Sequence, residues 1–170
     1  MHNEKIKNLA VMLLVLITLV SALAVPAAAA TTDYTFFTTA PTDDFSRIPA
    51  KLKEDDSRVF VRVDSMPGAF IRVAAFGQTT TATNCPYYMN LTYYAGGWAP
   101  FVRIPKKPEN AARATNYSVQ STIYENYTKL GNTAYRYGTL GFQSAGVGSE
   151  NVSGYWSVDS RTNWATPDAP

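Results

Sequence analysis

The chain has 170 residues, with 15 Lys or Arg, 13 Asp or Glu and a formal net charge of +2. Because the charges nearly balance, we expect no nucleic-acid partner and no attraction to an anionic membrane surface. The single cysteine, Cys85, excludes an internal disulfide, so the fold must rest on an apolar core, and we expect Cys85 to be a half-buried free thiol.

The N-terminus has the order of parts of a secretory signal peptide. Lys5 and Lys7 precede an apolar stretch over residues 9–25, and the small residues that end at Ala30 offer a cleavage site. We therefore expect residues 1–30 to be cleaved and residues 31–170 to be secreted as a single domain without a membrane span. The alternative is an uncleaved anchor, because the apolar stretch is just long enough to cross a bilayer.

The first half of the secreted part predicts strands with period-two alternation. The N-terminal segment is expected to be loose, apart from a strand at residues 34–38. In residues 57–63, three valines fall on one face of the strand and polar or aromatic residues on the other. Pro67-Gly68 is typical of a type II turn, and residues 69–76 alternate again. These features predict a core hairpin over residues 57–76.

The second half predicts further short strands, separated by Gly- and Pro-rich turns. These strands are expected at residues 87–94, 98–104, 117–124, 133–142 and 152–158. Pro100 favours an edge position for the second of them, residues 109–113 can form one helical turn, and the tail 161–170 is expected to be loose apart from Trp164. In total, seven or eight short strands and no amphipathic helix predict an all-β fold, a single antiparallel β-sandwich.

The last predicted strand assigns its two conspicuous aromatic residues to opposite faces. Val152, Gly154, Trp156 and Val158 alternate with more polar residues, so they share one face. We expect Trp156 to be a core residue and Gly154 to make room for a large neighbour across the core. Tyr155 is expected to point outward.

The absence of histidine from residues 31–170 limits the possible chemistry. The single histidine, His2, lies in the predicted signal peptide. Ser-His-Asp and Cys-His catalysis therefore lack their base, and zinc sites lack their usual ligand. We expect no enzyme activity, no cofactor and no metal site.

Two chemistries that need no histidine stay open. Glycoside hydrolysis needs only two carboxyl groups at a set separation; its candidates are Asp64, Glu125, Glu150 and Asp159. Calcium binding needs oxygen ligands; its candidates are Asp43-Asp44 and Glu54-Asp55-Asp56. Neither acidic run has the spacing of an EF-hand loop, and both are more typical of solvated turns.

Aromatic residues give the one positive indication of function. The chain has 11 Tyr and 3 Trp, and aromatic faces can stack on sugars or pack against a partner. Neighbours such as Tyr87-Tyr88 and Tyr93-Tyr94 must point to opposite faces of a strand, which leaves one of each pair for the surface. The candidate binding residues are Tyr87, Tyr93, Trp98 and Tyr155. The alternative is that tyrosine is simply a good strand residue.

Two stretches resemble a group of small exported proteins of Gram-positive bacteria. Residues 147–159, with Gly148-Ser149-Glu150-Asn151 followed by Ser153-Gly154-Tyr155-Trp156, are similar to the last strand of that group. Residues 53–60 are similar to the charged segment before its first core strand. The group resembles lactococcin-type bacteriocins in size and export. The resemblance implies an exported bacterial β-sandwich and assigns no functional residue.

These observations leave three functional hypotheses. The first is a secreted, non-enzymatic β-sandwich that acts by contact with a cell-surface, glycan or protein partner. The alternative is a bacteriocin-like secreted toxin that acts on the envelope of competing cells. The third is a small carboxylate-dependent glycosidase. An exposed aromatic face would favour the first hypothesis, and a cleft with converging carboxylates would favour the third.

Overall fold

Two antiparallel β-sheets pack against each other and bury the alternating apolar residues of their strands between them. The computed structural model describes residues 33–106, 116–129, 135–160 and 164–170. The expected all-β sandwich is confirmed. The predicted signal peptide, residues 1–30, and the predicted helical turn at residues 109–113 lie outside the described residues.

The described residues form twelve strands and one helix. The first sheet contains, in spatial order, β1 (Tyr34–Ala40), β12 (Glu150–Ser160), β4 (Arg58–Ser65), β10 (Asn116–Ser121), β7 (Thr92–Tyr94) and β8 (Gly97–Trp98). The second sheet contains β2 (Ser46–Arg47), β11 (Tyr137–Ser144), β5 (Phe70–Gln78) and β6 (Tyr88–Asn90), while β3 (Lys51–Leu52) pairs with β11 and β9 (Val102–Pro105) pairs with β5. The helix, α1, covers Ile123–Lys129.

The core lies between the inner faces of the two sheets. Its residues come from alternate positions of the long strands, such as Val59 and Val61 of β4 and Ile71 and Val73 of β5, all of which are 0% exposed. Trp156 of β12 is 2% exposed, so its predicted place in the core is confirmed. The period-two pattern therefore identified the buried faces of these strands correctly.

The predicted hairpin over residues 57–76 is wrong. Its two strands, β4 and β5, lie in different sheets, because β4 pairs with β12 and β10 whereas β5 pairs with β11, β6 and β9. The turn residues carry the chain from one sheet to the other. Both sheets of a sandwich face the same core, so two consecutive alternating strands fit either arrangement, and the alternation alone does not select a partner.

Two other predicted strands each divide between the sheets. Leu91 separates β6 of the second sheet from β7 of the first, and its backbone bonds to both Ala75 of β5 and Thr122, just after β10. The strand predicted at residues 98–104 divides in the same way into β8 and β9. These divisions, together with short strands such as β2 and β3, raise the strand number above the expected seven or eight.

The β7–β8 hairpin has a tight turn. Ala95 and Gly96 join the strands with positive φ values of 49° and 91°. Positive φ at both central residues is the geometry of a type I′ turn, whose twist matches that of paired strands. The turn thereby places β8 at the edge of the first sheet.

The helix was missed by the sequence analysis. The predicted strand 117–124 ends at Ser121, and α1 follows it with Ile123 fully buried in the core. At seven residues, α1 is too short to show a helical period, and its two tyrosines favour strands. Among the described residues, no helix has the length and apolar character to cross a membrane.

The expected strand at residues 34–38 is confirmed as part of β1, whereas the described part of the tail, residues 164–170, is held by strand-like hydrogen bonds although it was expected to be loose. β1 pairs with β12 along its whole length. In the tail, Ala165 exchanges hydrogen bonds of 2.9 and 3.1 Å with Ser118 and Asn116 of β10, and Asp168 exchanges bonds of 2.9 and 3.0 Å with Arg103 of β9. The tail therefore links an open part of β10 in the first sheet to β9 in the second, which protects edges that would otherwise be exposed.

Candidate functional site

A row of three side chains lies on the outer face of the first sheet. Gln120 of β10 is paired with Tyr93 of β7, and Tyr93 is paired with Trp98 of β8. Directly paired residues point to the same face of a sheet. Because Thr92 is buried and Tyr94 packs against the core, Tyr93 between them points outward. We call Trp98, Tyr93 and Gln120 the aromatic row.

Trp98 is the most exposed member of the aromatic row, at 68%. Its indole Nε1–H donates to the backbone oxygen of Asn90 over 3.3 Å, and the Asn90 amide donates to the backbone oxygen of Pro100 over 2.6 Å. The first bond fixes one edge of the indole and the second holds Asn90, which accepts the first. The Trp98 side chain nevertheless stays largely in solvent. A large aromatic residue that is both exposed and held in place is typical of a binding surface.

Two cavities adjoin the aromatic row, and each has a volume of about 270 Å³. Tyr93 and Gln120 line both of them, so the cavities are neighbours. The apolar cavity is further lined by Tyr94, Ala95, Val102, Ser118, Thr166 and Pro167. The polar cavity is further lined by Asp56, Ser57, Arg58, Ser121, Thr122 and Glu125. We call the aromatic row with these two cavities the Tyr93 groove.

The two cavities differ in the groups that they offer. The polar cavity has the carboxylates of Asp56 and Glu125 as acceptors and the guanidinium of Arg58 as a donor. Ser121 Oγ is buried and has no hydrogen-bond partner among the described residues, and such a group favours a ligand or water beside it. In the apolar cavity, the tail residues Thr166 and Pro167 form one side, so the tail helps to shape the groove.

Comparison with known proteins gave no match to any family model, curated protein or solved structure. The resemblance to small exported proteins of Gram-positive bacteria therefore stays a prediction.

Two of the four predicted binding residues, Tyr93 and Trp98, are brought together in this groove. Tyr155 lies on the outer face of the same sheet, but the guanidinium of Arg62 stands 4.2 Å from its ring centroid and covers one side of the ring. Tyr87 is 67% exposed and precedes β6 of the second sheet. It does not belong to the aromatic row.

The residues that complete the groove were not predicted. Gln120 and Arg58 have no local feature that marks them, since they join the site only through the pairing of β10 with β7 and β4. Thr166 and Pro167 belong to a tail that was expected to be loose. Strand alternation could have placed Gln120 on the polar face of β10, but not beside Tyr93.

Three of the four carboxylates considered for glycoside hydrolysis do not line the groove. Asp159 is 2.5 Å from Lys53 Nζ, Asp64 is 2.9 Å from Arg62 Nε, and Glu150 accepts a hydrogen bond from the Gly68 backbone over 3.3 Å. The fourth, Glu125, lines the polar cavity together with Asp56. Within the described ranges, no three His, Cys, Asp or Glu side chains come close enough to hold a metal ion.

Cys85 lies outside the groove and is buried at 2% exposure, rather than half-buried as expected. Its thiol lies 3.2 Å from the Thr79 hydroxyl and donates to the Tyr87 backbone oxygen over 3.2 Å. Burial raises the pKa of the Cys85 thiol, but hydrogen bonds with Thr79 and Thr80 outweigh it and lower the pKa to about 6. Thr79 and Tyr87, at the two ends of the 79–87 loop, both contact the thiol, so the loop closes around Cys85 and buries it.

Proposed function

We propose that this protein is a secreted, non-enzymatic β-sandwich that binds a glycan of a cell surface in the Tyr93 groove. The observation that carries the proposal is the aromatic row, in which an exposed indole, a phenol ring and an amide stand side by side on one sheet face. A pyranose ring has an apolar C–H face and a rim of hydroxyl groups. An aromatic platform bordered by hydrogen-bonding side chains complements both parts.

Each part of the groove has a role in this proposal. The indole of Trp98 stacks on the C–H face of one sugar ring, and the Tyr93 hydroxyl and Gln120 amide bond to its hydroxyl groups. The polar cavity receives the hydroxyls of a neighbouring sugar. Because the Trp98 indole is already held by its hydrogen bond to Asn90, it loses little conformational freedom on binding, which favours affinity.

The charges in the polar cavity favour a neutral glycan. Its two carboxylates, Asp56 and Glu125, outnumber the single guanidinium of Arg58 among its lining residues. A polyanionic glycan would bring like charges together, which costs affinity. The apolar cavity beside Tyr94 and Val102 suits a methyl-bearing substituent, such as an N-acetyl group.

A carboxylate-dependent glycosidase is a second candidate, because Asp56 and Glu125 line the same cavity. The two functions differ in what happens to a bound glycan. A binder releases the glycan unchanged, whereas a glycosidase generates new reducing ends at a rate that Glu125→Gln abolishes.

The test is a glycan array probed with the wild-type protein and two variants. Trp98→Ala removes the platform. Phe37→Ala is the matched control, because Phe37 is 73% exposed on the outer face of β1, at the opposite edge of the same sheet. We expect the wild type to bind a set of neutral glycans, Trp98→Ala to bind them at least about tenfold more weakly, and Phe37→Ala to bind them normally.

Equal binding by all three proteins, or no glycan bound by the wild type, would contradict the proposal. Wild-type binding to a surface protein, with no array signal and with loss in Trp98→Ala, would assign the groove to a protein partner instead.

A further inference from the structure

A buried lysine contacts a carboxylate of the last strand at the end of the sandwich next to α1. Lys53, which follows β3, has a side chain that is 1% exposed, and its Nζ lies 2.5 Å from Oδ1 of Asp159 in β12. The carboxylate of Asp55 is 3.9 Å from the same nitrogen. Lys53 and Asp159 are 106 residues apart in the chain. An amine, a carboxyl group and a second carboxylate therefore meet in one enclosed place.

The surrounding backbone holds Lys53 in this position. Its ammonium donates to the backbone oxygen of Ser57 over 2.6 Å, and the hydroxyl of Tyr127 in α1 donates to the backbone oxygen of Lys53. The Lys53 side chain is therefore fixed against Asp159, so the entropy that two separate reactants would lose on meeting has already been lost. Such fixed pairs react with high effective concentration.

The carboxyl group of Asp159 is polarised by its hydrogen bonds. The Glu54 backbone N–H donates to Oδ2 over 3.1 Å. The hydroxyl of Ser57 donates to Oδ1 over 3.5 Å. A backbone N–H directed at one oxygen stabilises negative charge that develops on it when the carbon is attacked, as oxyanion-hole donors do.

We propose that Lys53 and Asp159 condense to form an intramolecular isopeptide bond, with Asp55 as the proton carrier. The proposal stands on this cluster alone and does not depend on glycan binding. The contact already has the two groups that an amide needs, and the reaction requires no co-reactant, because the other product is water.

The condensation proceeds through three proton transfers and one tetrahedral intermediate. A proton passes from the Lys53 ammonium to Oδ1 of Asp159, which leaves a neutral amine beside a carboxylic acid. The Nζ lone pair forms a bond to Cγ, and the C=O π pair moves onto Oδ2, opposite the Glu54 N–H. Asp55 takes a proton from the attached nitrogen and returns it to the Oδ1 hydroxyl. The Cγ–Oδ1 bond then breaks, water leaves and the C=Oδ2 double bond re-forms.

Asp55 is suited to carry the proton. Burial raises the pKa of Asp55, but hydrogen bonds from Ser57, the interaction with Asp159 and the positive charge of Lys53 lower it to about 2. The carboxylate is ionised at neutral pH, and its Oδ1 lies 3.9 Å from Lys53 Nζ, so it is placed to take a proton from the attached nitrogen.

The bond would supply a covalent link that this chain cannot make in another way. With a single cysteine, no internal disulfide can form. The isopeptide would join the segment after β3 to the last strand and close a loop of most of the described residues, and long closed loops restrict the unfolded chain strongly.

Mass spectrometry of the purified full chain tests the proposal. We expect a mass lower by one water molecule than the mass calculated from the sequence between the observed N- and C-termini. We also expect a branched tryptic peptide that contains both Lys53 and Asp159. Lys53→Arg keeps a cation in place but has no amine nucleophile, so it should show no loss. The matched control, Lys51→Arg, changes the neighbouring lysine of β3 and should still lose one water.

A wild-type protein with the full mass and no branched peptide, after prolonged incubation in the folded state, overturns the proposal whatever the variants do. Loss of water in Lys53→Arg would place the loss elsewhere and also overturn it. For Asp55→Ala that is folded by circular dichroism, we expect no branched peptide; complete cross-linking there would overturn the role given to Asp55.

Discussion

Trp156 and Trp98 lie on opposite faces of the same sheet and differ in nearly every physical respect. Trp156 is 2% exposed on the inner face of β12, where its ring lies 5.9 Å from that of Tyr34. Trp98 is 68% exposed on the outer face of the edge strand β8. The residue type is the same, so strand position and pairing decide which tryptophan stabilises the fold and which is available to a partner.

The largest effect on stability is expected on the inner face. Trp156→Ala should lower the free energy of unfolding by about 3–5 kcal/mol, the range for removing a buried aromatic side chain. Chemical denaturation measures this value, and Tyr155→Ala, one residue away on the outer face, should cost clearly less. An unchanged denaturation midpoint for Trp156→Ala would show that Trp156 does not stabilise the core and that its assignment to the inner face is wrong.

Gly154 is the next most sensitive position, because two strands approach closely there. A Cβ at Gly154 would lie 1.9 Å from the backbone oxygen of Arg62 in β4, beside a shift in the β12–β4 register. The expectation that Gly154 makes room for a large neighbour across the core is therefore wrong, since the neighbour is backbone. Gly154→Ala should cost about 1–3 kcal/mol, as overpacking does.

Gly148→Ala is the matched control for that substitution. A Cβ at Gly148 would meet nothing within 4 Å, so its midpoint of denaturation should equal that of the wild type. Equal midpoints for Gly154→Ala and the wild type would contradict the close approach of β12 and β4.

The tail covers part of the outer face, and Trp164→Ala, which shortens its largest side chain, should lower stability by less than the two substitutions above. The Trp164 ring lies 5.7 Å from that of Phe60, which is only 5% exposed although it belongs to the outward-pointing set of β4. Trp164→Ala should cost about 1–2 kcal/mol, less than for a fully buried aromatic residue. It should also weaken glycan binding, since the tail lines the apolar cavity. Normal stability and normal affinity together would show that the tail is not part of the groove.

Trp98→Ala should have the smallest effect on stability. Surface substitutions away from caps and buried networks usually change stability by about 0.5 kcal/mol or less, while the same substitution should remove most of the glycan binding. A loss of stability as large as that of Trp156→Ala would show that Trp98 is a structural residue. Its exposure would then no longer support a binding site at β8.

The contrast also separates what the sequence could predict from what it could not. Alternation identified the inward faces of β4, β5 and β12, because burial on one side of a strand imposes a period of two. It could not identify partners: β4 and β5 have the same pattern and lie in different sheets, and no local feature marks the crossing at Leu91. Such pairings are set by contacts between distant parts of the chain.

The candidate site follows the same division. The outward position of one tyrosine at residues 93–94 was predictable, since adjacent residues of a strand point to opposite faces. Trp98 was a candidate only because it is aromatic. Their meeting with Gln120 and Arg58 depends on the register of β7 with β10 and of β10 with β4, and the shape of the apolar cavity depends on the docked tail. Neither the register nor the docking leaves a trace in local sequence.

An NMR titration that observes the indole N–H signals of the three tryptophans distinguishes the two faces of the sheet most directly. The titrant is the neutral glycan that binds most strongly on the array, and the protein is uniformly ¹⁵N-labelled. We expect the Trp98 signal to shift progressively to saturation while the Trp156 signal stays in place. Saturable binding with an unmoved Trp98 signal, or with shifts at Trp156 as large as those at Trp98, would contradict the assignment of the outer face to binding and the inner face to the core.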